Sequence, residues 1–322
     1  MKFIDLFCGI GGFRIAFESV GGECVFSSDI DKFACNTYYL NFGDYPLNDI
    51  TQIDEKQLPD FDVLCAGFPC QPFSIGGLRK GFHDTRGTLF FDIERILREK
   101  KPHAFILENV KGLVNHDKGR TLDVILNKLG GEINNQTNNK SYSDCLNYYV
   151  FYKVINSKDF GVPQNRERIY IVGFRDDVSF EFPKKLDNQT SLLDILDNSV
   201  KENTISEILN RNIEFHLQKH KKYNAIKNLK YLLAYEVRKS RSTFRYDNLS
   251  PTLTAKMGTG GNNVPIVVNS RRKLTTNECL RIQGYPNDFR IKNNNSQSYK
   301  QIGNSVSIPV IKSIAQEMVK YL

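Results

Sequence analysis

The chain has no Cys-x-x-Cys pair. Its seven cysteines, at 8, 24, 35, 65, 70, 145 and 279, are odd in number and scattered over 322 residues. A disulfide framework or a zinc site needs paired spacings, so neither is expected, and a reducing, cytoplasmic setting is. His83, His103 and His116 show no metal spacing, and no metal is expected. No apolar run approaches the ~18 residues of a membrane helix, so no membrane partner is expected. The first residues, Met1-Lys2-Phe3-Ile4-Asp5, put an acid inside an apolar run, which does not suit a signal peptide. There is no internal repeat to suggest an array.

What is present is a mildly basic soluble composition. Lys plus Arg number 44 against 36 Asp plus Glu, a net charge of +8. That excess favours a polyanionic partner. A 40% hydrophobic share in 322 residues supports one large domain or two ordinary ones.

The first half alternates apolar strand-like runs with helical spacing. Strands are predicted at Phe3–Phe7, Cys24–Ser27, Val63–Ala66, Ala104–Leu107, Val150–Ile155 and Arg168–Phe174. Helices are predicted over Phe13–Val20, Asp31–Leu40, Thr88–Lys100 and Leu122–Leu129. Such alternation implies an α/β fold with a doubly wound, mostly parallel sheet. After Pro183 the rhythm breaks. Residues 184–268 are rich in Asn, Lys and short irregular segments, and form a second, smaller domain. Pro309–Leu322 regains helical spacing through Ile311, Ile314, Met318 and Leu322, and is expected to pack on the first domain.

Cys70 stands in Gly67-Phe68-Pro69-Cys70-Gln71-Pro72, directly after the apolar run Val63–Ala66. The prolines forbid a helix across it, so the thiol sits on a stiff loop at a strand end. In open α/β sheets, ligands bind there. Phe3–Phe13 has the order strand, glycine turn, helix, which lets a ligand approach the backbone closely. A dinucleotide fingerprint would place a third glycine at position 14, where Arg14 stands. Asp29, at the end of the second strand, is placed to accept from two ribose hydroxyls. A nucleoside cofactor without phosphates fits better than nicotinamide or flavin. Glu108 follows another apolar run, and Arg166 and Arg168 precede a further one, so thiol, carboxyl and guanidinium all stand at strand ends.

Several motifs then occur in a fixed order. They are Asp5-Leu6-Phe7-Cys8-Gly9-Ile10-Gly11-Gly12-Phe13, Pro69-Cys70-Gln71, Glu108-Asn109-Val110, Gln164 to Tyr170, and Gln301-Ile302-Gly303-Asn304-Ser305-Val306. Arg272-Lys273-Leu274-Thr275, with Glu278, Arg281 and Gln283-Gly284-Tyr285-Pro286, precedes the last. In content and order the chain resembles DNA cytosine-5 methyltransferases of the bacterial restriction–modification type. The resemblance spans nearly the whole chain and is weakest over residues 184–250.

The resemblance implies a sheet of the S-adenosylmethionine-dependent methyltransferase type with a smaller target-recognition domain. Residues 1–183 plus 297–322 would form the catalytic and cofactor-binding domain, 184–268 the recognition domain and 269–296 the connection. Cys70 would be the nucleophile toward carbon 6 of a flipped cytosine. Glu108, protonated so that it can donate, would hydrogen-bond or protonate ring nitrogen 3 and the exocyclic amine, and Arg168, with Arg166 beside it, would bind the ring carbonyl. S-adenosylmethionine, leaving as S-adenosylhomocysteine, would lie against Phe7, Gly9, Gly11, Gly12, Asp29, Ile30, Asp49, Ile50, Leu89, Asn304 and Ser305. DNA would meet Gln71, Ser74, Thr252, Leu253, Gly258, Gly260 and Gly261. The implied partner is double-stranded DNA with a short specific site, bound by a monomer at the nucleoid, with a separately encoded companion restriction endonuclease. A tRNA cytosine methyltransferase shares the same catalytic framework, but the long 184–268 stretch and the Thr252-Leu253 context favour DNA. Intact Cys70, Glu108 and Arg168 argue against a DNA-binding module with a decayed site.

Overall fold

The computed structural model describes residues 1–69, 89–130, 144–187, 190–200, 203–259, 263–292 and 294–322. Its main sheet has six strands: β1 (Lys2–Leu6), β2 (Glu23–Ser28), β3 (Val63–Gly67), β4 (Ala104–Val110), β5 (Tyr149–Asn156) and β6 (Glu167–Phe174). They lie in the order β2-β1-β3-β4-β6-β5. The pairs β1–β2, β1–β3 and β3–β4 are parallel, and β6 runs antiparallel to both its neighbours.

Most strand residues here are buried on both faces, as a sheet covered on two sides requires. Phe3, Cys65, Ile106 and Val172 join one core with α1 (Gly12–Glu18). Ile4, Leu64, Phe105 and Ile171 join the other with α3 (Phe90–Lys100) and α4 (Arg120–Gly130). Helix α2 (Lys32–Phe42) is capped by Asp31, whose carboxylate accepts from the Phe33 and Ala34 amides. The six strands fall where the sequence places them.

The chain passes from β1 to β2 on one side and then returns to β3 on the other. The carboxyl ends of β1 and β3 therefore flank the switch point where ligands bind in open α/β sheets.

The second sheet is antiparallel, with order β10-β9-β7-β8. It comprises β7 (Leu233–Tyr235), β8 (Thr243–Arg245), β9 (Ile266–Val267) and β10 (Arg272–Lys273). It packs through Ala234 and Ile266 on Leu209 and Ile213 of α5 (Glu207–Gln218), and a single turn, α6 (Tyr223–Ile226), follows. Where short irregular segments are expected from sequence, the structure forms the twelve-residue helix α5. Its apolar residues Leu209, Ile213 and Leu217 recur every fourth position, but Asn, Arg, Glu and His dilute the stripe.

Three helices close the fold: α7 (Thr276–Gln283), α8 (Asn295–Asn304) and α9 (Ile308–Met318). Helix α9 buries Ile311, Ile314 and Met318 in the core that holds Phe13 and Phe17 of α1. It ends before Leu322, which is exposed.

Candidate active site

The turn after β1 is built from left-handed backbone. Phe7 has φ +56°, Gly9 +52° and Gly11 +86°. A bulky residue in that region is an outlier that its surroundings must hold. Here the Cys8 amide donates to Ser28 O at 3.0 Å, and the Gly11 amide to Cys8 O at 2.8 Å.

The three glycines do different work. A Cβ on Gly11 would lie 2.3 Å from the Phe42 ring, and one on Gly12 2.7 Å from Val306 Cγ2. A Cβ on Gly9 would meet nothing within 4 Å among the described residues. Gly11 and Gly12 let the turn pack inward, whereas Gly9 leaves a cradle open above it. Arg14 replaces a third glycine to brace the turn from below. It bonds Glu18 at 2.7 Å and Asp44 at 2.5 Å, and stacks over Phe42.

Asp29 accepts from the Gly9 amide at 2.8 Å through one oxygen, and from the Asp31 amide at 2.8 Å through the other. Burial raises its pKa, and those two amides oppose the rise. A carboxylate offers about four acceptor positions, so two remain for a ligand. Beside it Ile30 is 68% exposed, an apolar face turned to solvent at a strand end. Asp49 accepts from the Thr51 amide and hydroxyl through one oxygen, and Ile50 is buried beneath. Leu89 is half-buried against the core that holds Phe90. Asn304 is exposed, and Ser305 is buried with its hydroxyl 2.5 Å from Tyr285 Oη.

The acid lies on the same edge. Gly67, the last residue of β3, pairs in register with Glu108 of β4. Asn109 donates to Phe68 O at 3.0 Å and so pins the backbone two residues before Cys70. Arg168 Nε is 3.1 Å from Glu108 Oε1, with both side chains largely buried. The nitrogen lies off the hydrogen-bond line, and Oε1 has no hydrogen-bond donor among the described residues. A buried acceptor without a donor calls for an explanation.

The antiparallel β6 creates this pair. It sets Arg168 opposite Val110, two residues from Glu108. Had β6 run parallel, Arg168 would stand at the other edge of the sheet, about 20 Å away at ~3.3 Å per residue.

Arg166 does something else. It is buried, and its guanidinium donates to Leu253 O at 2.7 Å, Gly303 O at 3.5 Å and Ser305 O at 2.6 Å. Burial, then the neighbouring Arg168, lowers its pKa to about 10, so it remains a cation at neutral pH. Leu253 is fully buried, while Thr252 donates to Asn165 O at 2.7 Å. Gly258 packs on α8, where a Cβ would lie 2.3 Å from Ser296 O. Cys70, Gln71, Ser74, Gly260 and Gly261 lie outside the described residues.

The structure thus brings the glycine turn, Asp29, Ser305, Glu108 and Arg168 to one edge of the sheet. Three bonded side chains had no role assigned from sequence: Gln164, Gln283 and Asn109. All three stand inside the quoted motifs, and a buried polar side chain beside a functional one was the available signal.

Comparison with known proteins agrees with this geometry. A family model described as C-5 cytosine-specific DNA methylase matches residues 1–320. The chain is 46% identical to the type II methyltransferase M.SsoII of Shigella sonnei, over all of this chain and 80% of that protein. It is 43% identical to the type II methyltransferase M.HhaI of Haemophilus parahaemolyticus, over 98% of this chain and 93% of that one. Among solved structures, the Dnmt2 methyltransferase of S. pombe superposes with a TM-score of 0.71 over 99% of both chains, at 18% identity. The Entamoeba histolytica methyltransferase EhMeth also gives 0.71, at 22% identity, over 99% of this chain and 98% of that one. These two are likenesses of fold.

Proposed function

Since this chain belongs to the family of C-5 cytosine-specific DNA methylases and is a type II DNA cytosine-5 methyltransferase, we propose that it modifies a flipped cytosine in a short duplex site through a covalent Cys70 adduct. The observation that carries this reading is the Glu108–Arg168 pair at the end of β3, three residues before Cys70.

Carbon 5 of cytosine is a weak nucleophile. A Cys70 thiolate adding at carbon 6 turns the ring into an enamine and makes carbon 5 nucleophilic. Glu108, carrying a proton in this scheme, donates it toward ring nitrogen 3 as the thiolate adds, and accepts from the exocyclic amine through Oε1, which has no donor among the described residues. Arg168 binds the ring carbonyl while keeping Glu108 in place. Once carbon 5 has taken the methyl group, loss of its proton expels Cys70 as thiolate and restores the 5,6 double bond. Arg166, bonded to three main-chain carbonyls, is a positioning residue in this scheme. The base reaches the pocket by rotating out of its duplex.

S-adenosylmethionine supplies an electrophilic methyl group on a sulfonium. The residues present fit it: the open cradle above Gly9, the remaining acceptor positions of Asp29 and the exposed face of Ile30. Asp29 would hold the ribose and Asp49 the adenine amine. Phe7, Gly11, Gly12, Ile50, Leu89, Asn304 and Ser305 would form the wall. Residues 1–183 with 297–322 carry this chemistry, 184–268 read the DNA, and 269–296 connect them. Gln71, Ser74, Thr252, Gly258, Gly260 and Gly261 are assigned to the DNA, whereas Leu253, expected there from sequence, is fully buried and instead anchors the segment. A monomer acting beside a separately encoded endonuclease completes the reading.

Expression in a host without cytosine methylation, followed by sequencing for 5-methylcytosine, tests the proposal. Modification is expected at one cytosine in every copy of a short sequence. Unmodified DNA, with soluble protein present, would overturn it. Modification confined to tRNA would transfer the activity to RNA.

The net charge of +8 supports phosphate contacts. Lys219 lies 3.7 Å over the Phe215 ring and Lys222 5.2 Å over Tyr246, so part of this charge is set among aromatics near the second sheet. Raising salt from 0.1 to 0.2 M is expected to weaken duplex binding by about tenfold. Titration by fluorescence anisotropy measures this, and an unchanged Kd would remove the phosphate-contact reading.

A further inference from the structure

Two fully buried glutamines, neither given a role above, connect the recognition segment to the cofactor wall. The Leu253 amide donates to Gln164 Oε1 at 2.9 Å. Gln164 Nε2 donates to Gln283 Oε1 at 2.9 Å and to Ile282 O at 3.2 Å. Gln283 Nε2 donates to Ile302 O at 2.8 Å and to Ser305 O at 3.4 Å. Every bond along the chain points the same way, from the Leu253 amide to the carbonyls beside Ser305.

Arg166 runs alongside between the same two ends, donating to Leu253 O and Ser305 O. The recognition residue Leu253 is therefore gripped by both its amide and its carbonyl. Gln164 and Arg166, which grip it, stand four and two residues before Arg168, which touches Glu108. The segment has little slack, because a Cβ on Gly303 would lie 2.1 Å from the Thr254 carbonyl carbon. A stability role alone would be met by apolar side chains, which need no partners. A one-way amide chain instead fixes a single arrangement of the groups at its ends.

We propose that Gln164 and Gln283 are positioning residues that set the Thr252-Leu253 segment in register with both the base pocket and the Ser305 wall. The proposal rests on the function assigned above. Gln164 acts on the DNA side only. Gln283, through Ser305 and Ile302, acts on both sides.

Near-isosteric acids test it, because each keeps the acceptor and replaces the donor. In Gln164→Glu an oxygen faces Gln283 Oε1 and Ile282 O. In Gln283→Glu an oxygen faces Ile302 O and Ser305 O. Transfer from tritiated S-adenosylmethionine to unmethylated plasmid DNA gives kcat and KM, and calorimetry gives the Kd for S-adenosylhomocysteine. Gln164→Glu is expected to raise the KM for DNA at least tenfold, with the S-adenosylhomocysteine Kd unchanged within twofold. Gln283→Glu is expected to raise both, the Kd at least threefold.

The double variant Gln164→Leu, Gln283→Leu removes the amides together and avoids buried repulsion, so it serves where a single acid does not fold. It leaves the Leu253 amide without its acceptor and is expected to raise the KM for DNA as Gln164→Glu does. A fall in kcat and thermal midpoint with KM and Kd unmoved would overturn the proposal. So would failure of all three variants to fold, which would make the relay a stability element. Inactive wild-type protein that still binds S-adenosylhomocysteine would count against the assigned function, and the relay's purpose would fall with it. Active wild type with unshifted variants counts against the relay alone.

Discussion

Cys70→Ala is expected to lower methyl transfer by about 10⁴-fold or more, while the Kd for S-adenosylhomocysteine stays within twofold. The two expectations separate because they depend on different strands. The proposed cofactor contacts lie mainly at the ends of β1 and β2, in Phe7, Gly9 and Asp29. The thiol belongs to the segment after β3, and Pro69, the residue before it, closes the described part of that segment. No other cysteine among the described residues is placed to substitute: Cys145 precedes β5 at Tyr149, whose partner Phe174 pairs with Ala104, the end of β4 away from Glu108. Burial pushes the Cys24 and Cys35 thiols up to about 12, and the Cys8, Cys65 and Cys279 thiols are also raised, so each remains a protonated, unreactive thiol at neutral pH. A duplex with 5-fluorocytosine at the target gives a complementary measurement. Fluorine cannot leave as a proton, so wild-type protein with cofactor should form an adduct stable in denaturant, and Cys70→Ala should form none. Full activity in the variant, or an adduct that survives the substitution, would exclude Cys70 as the nucleophile.

The sequence makes the main sheet legible because its strands are short apolar runs between glycine or proline punctuation and amphipathic helices. Ala104–Leu107 can be little else, and Phe3–Phe7 leads directly into Gly9 and Gly11. The direction of β6 is not legible from periodicity, since a strand's side-chain alternation is the same whichever way it runs. Yet that direction brings Arg168 to Glu108. The second sheet is harder to read for a different reason. Strands of two or three residues such as Ile266–Val267 carry too few positions to show a period, and they exist because α5 covers them. Arg166 and Arg168 look alike as letters two apart. Burial separates them, the first spent on the carbonyls of Leu253, Gly303 and Ser305, the second on a carboxylate. Gln164 and Gln283, 119 residues apart in sequence, become neighbours only when the segment before β6 meets the end of α7.

Glu108→Gln is expected to lower kcat by about 10²–10⁴-fold, the range for a group that holds a proton in the transition state. The DNA KM and the S-adenosylhomocysteine Kd should move less than threefold. The amide has nearly the carboxyl's shape, so the β4–β6 pairing and the Gly67–Glu108 register should survive. Two things are lost. The charge facing Arg168 Nε disappears, and the group can no longer exchange a proton with ring nitrogen 3. Glu108→Ala is the less informative change, because it also leaves the largely buried Arg168 guanidinium without its counter-charge, which destabilises the fold independently of chemistry. The step affected can be isolated from methyl transfer. Reversible addition of Cys70 at carbon 6 lets the carbon-5 hydrogen exchange with water, so tritium release from [5-³H]cytosine duplex in the presence of S-adenosylhomocysteine reports addition alone. If Glu108 activates the ring, exchange and methylation should fall together in Glu108→Gln. Exchange at the wild-type rate with slow methylation would place Glu108 after the addition step. Both rates within threefold of wild type would remove it from the mechanism.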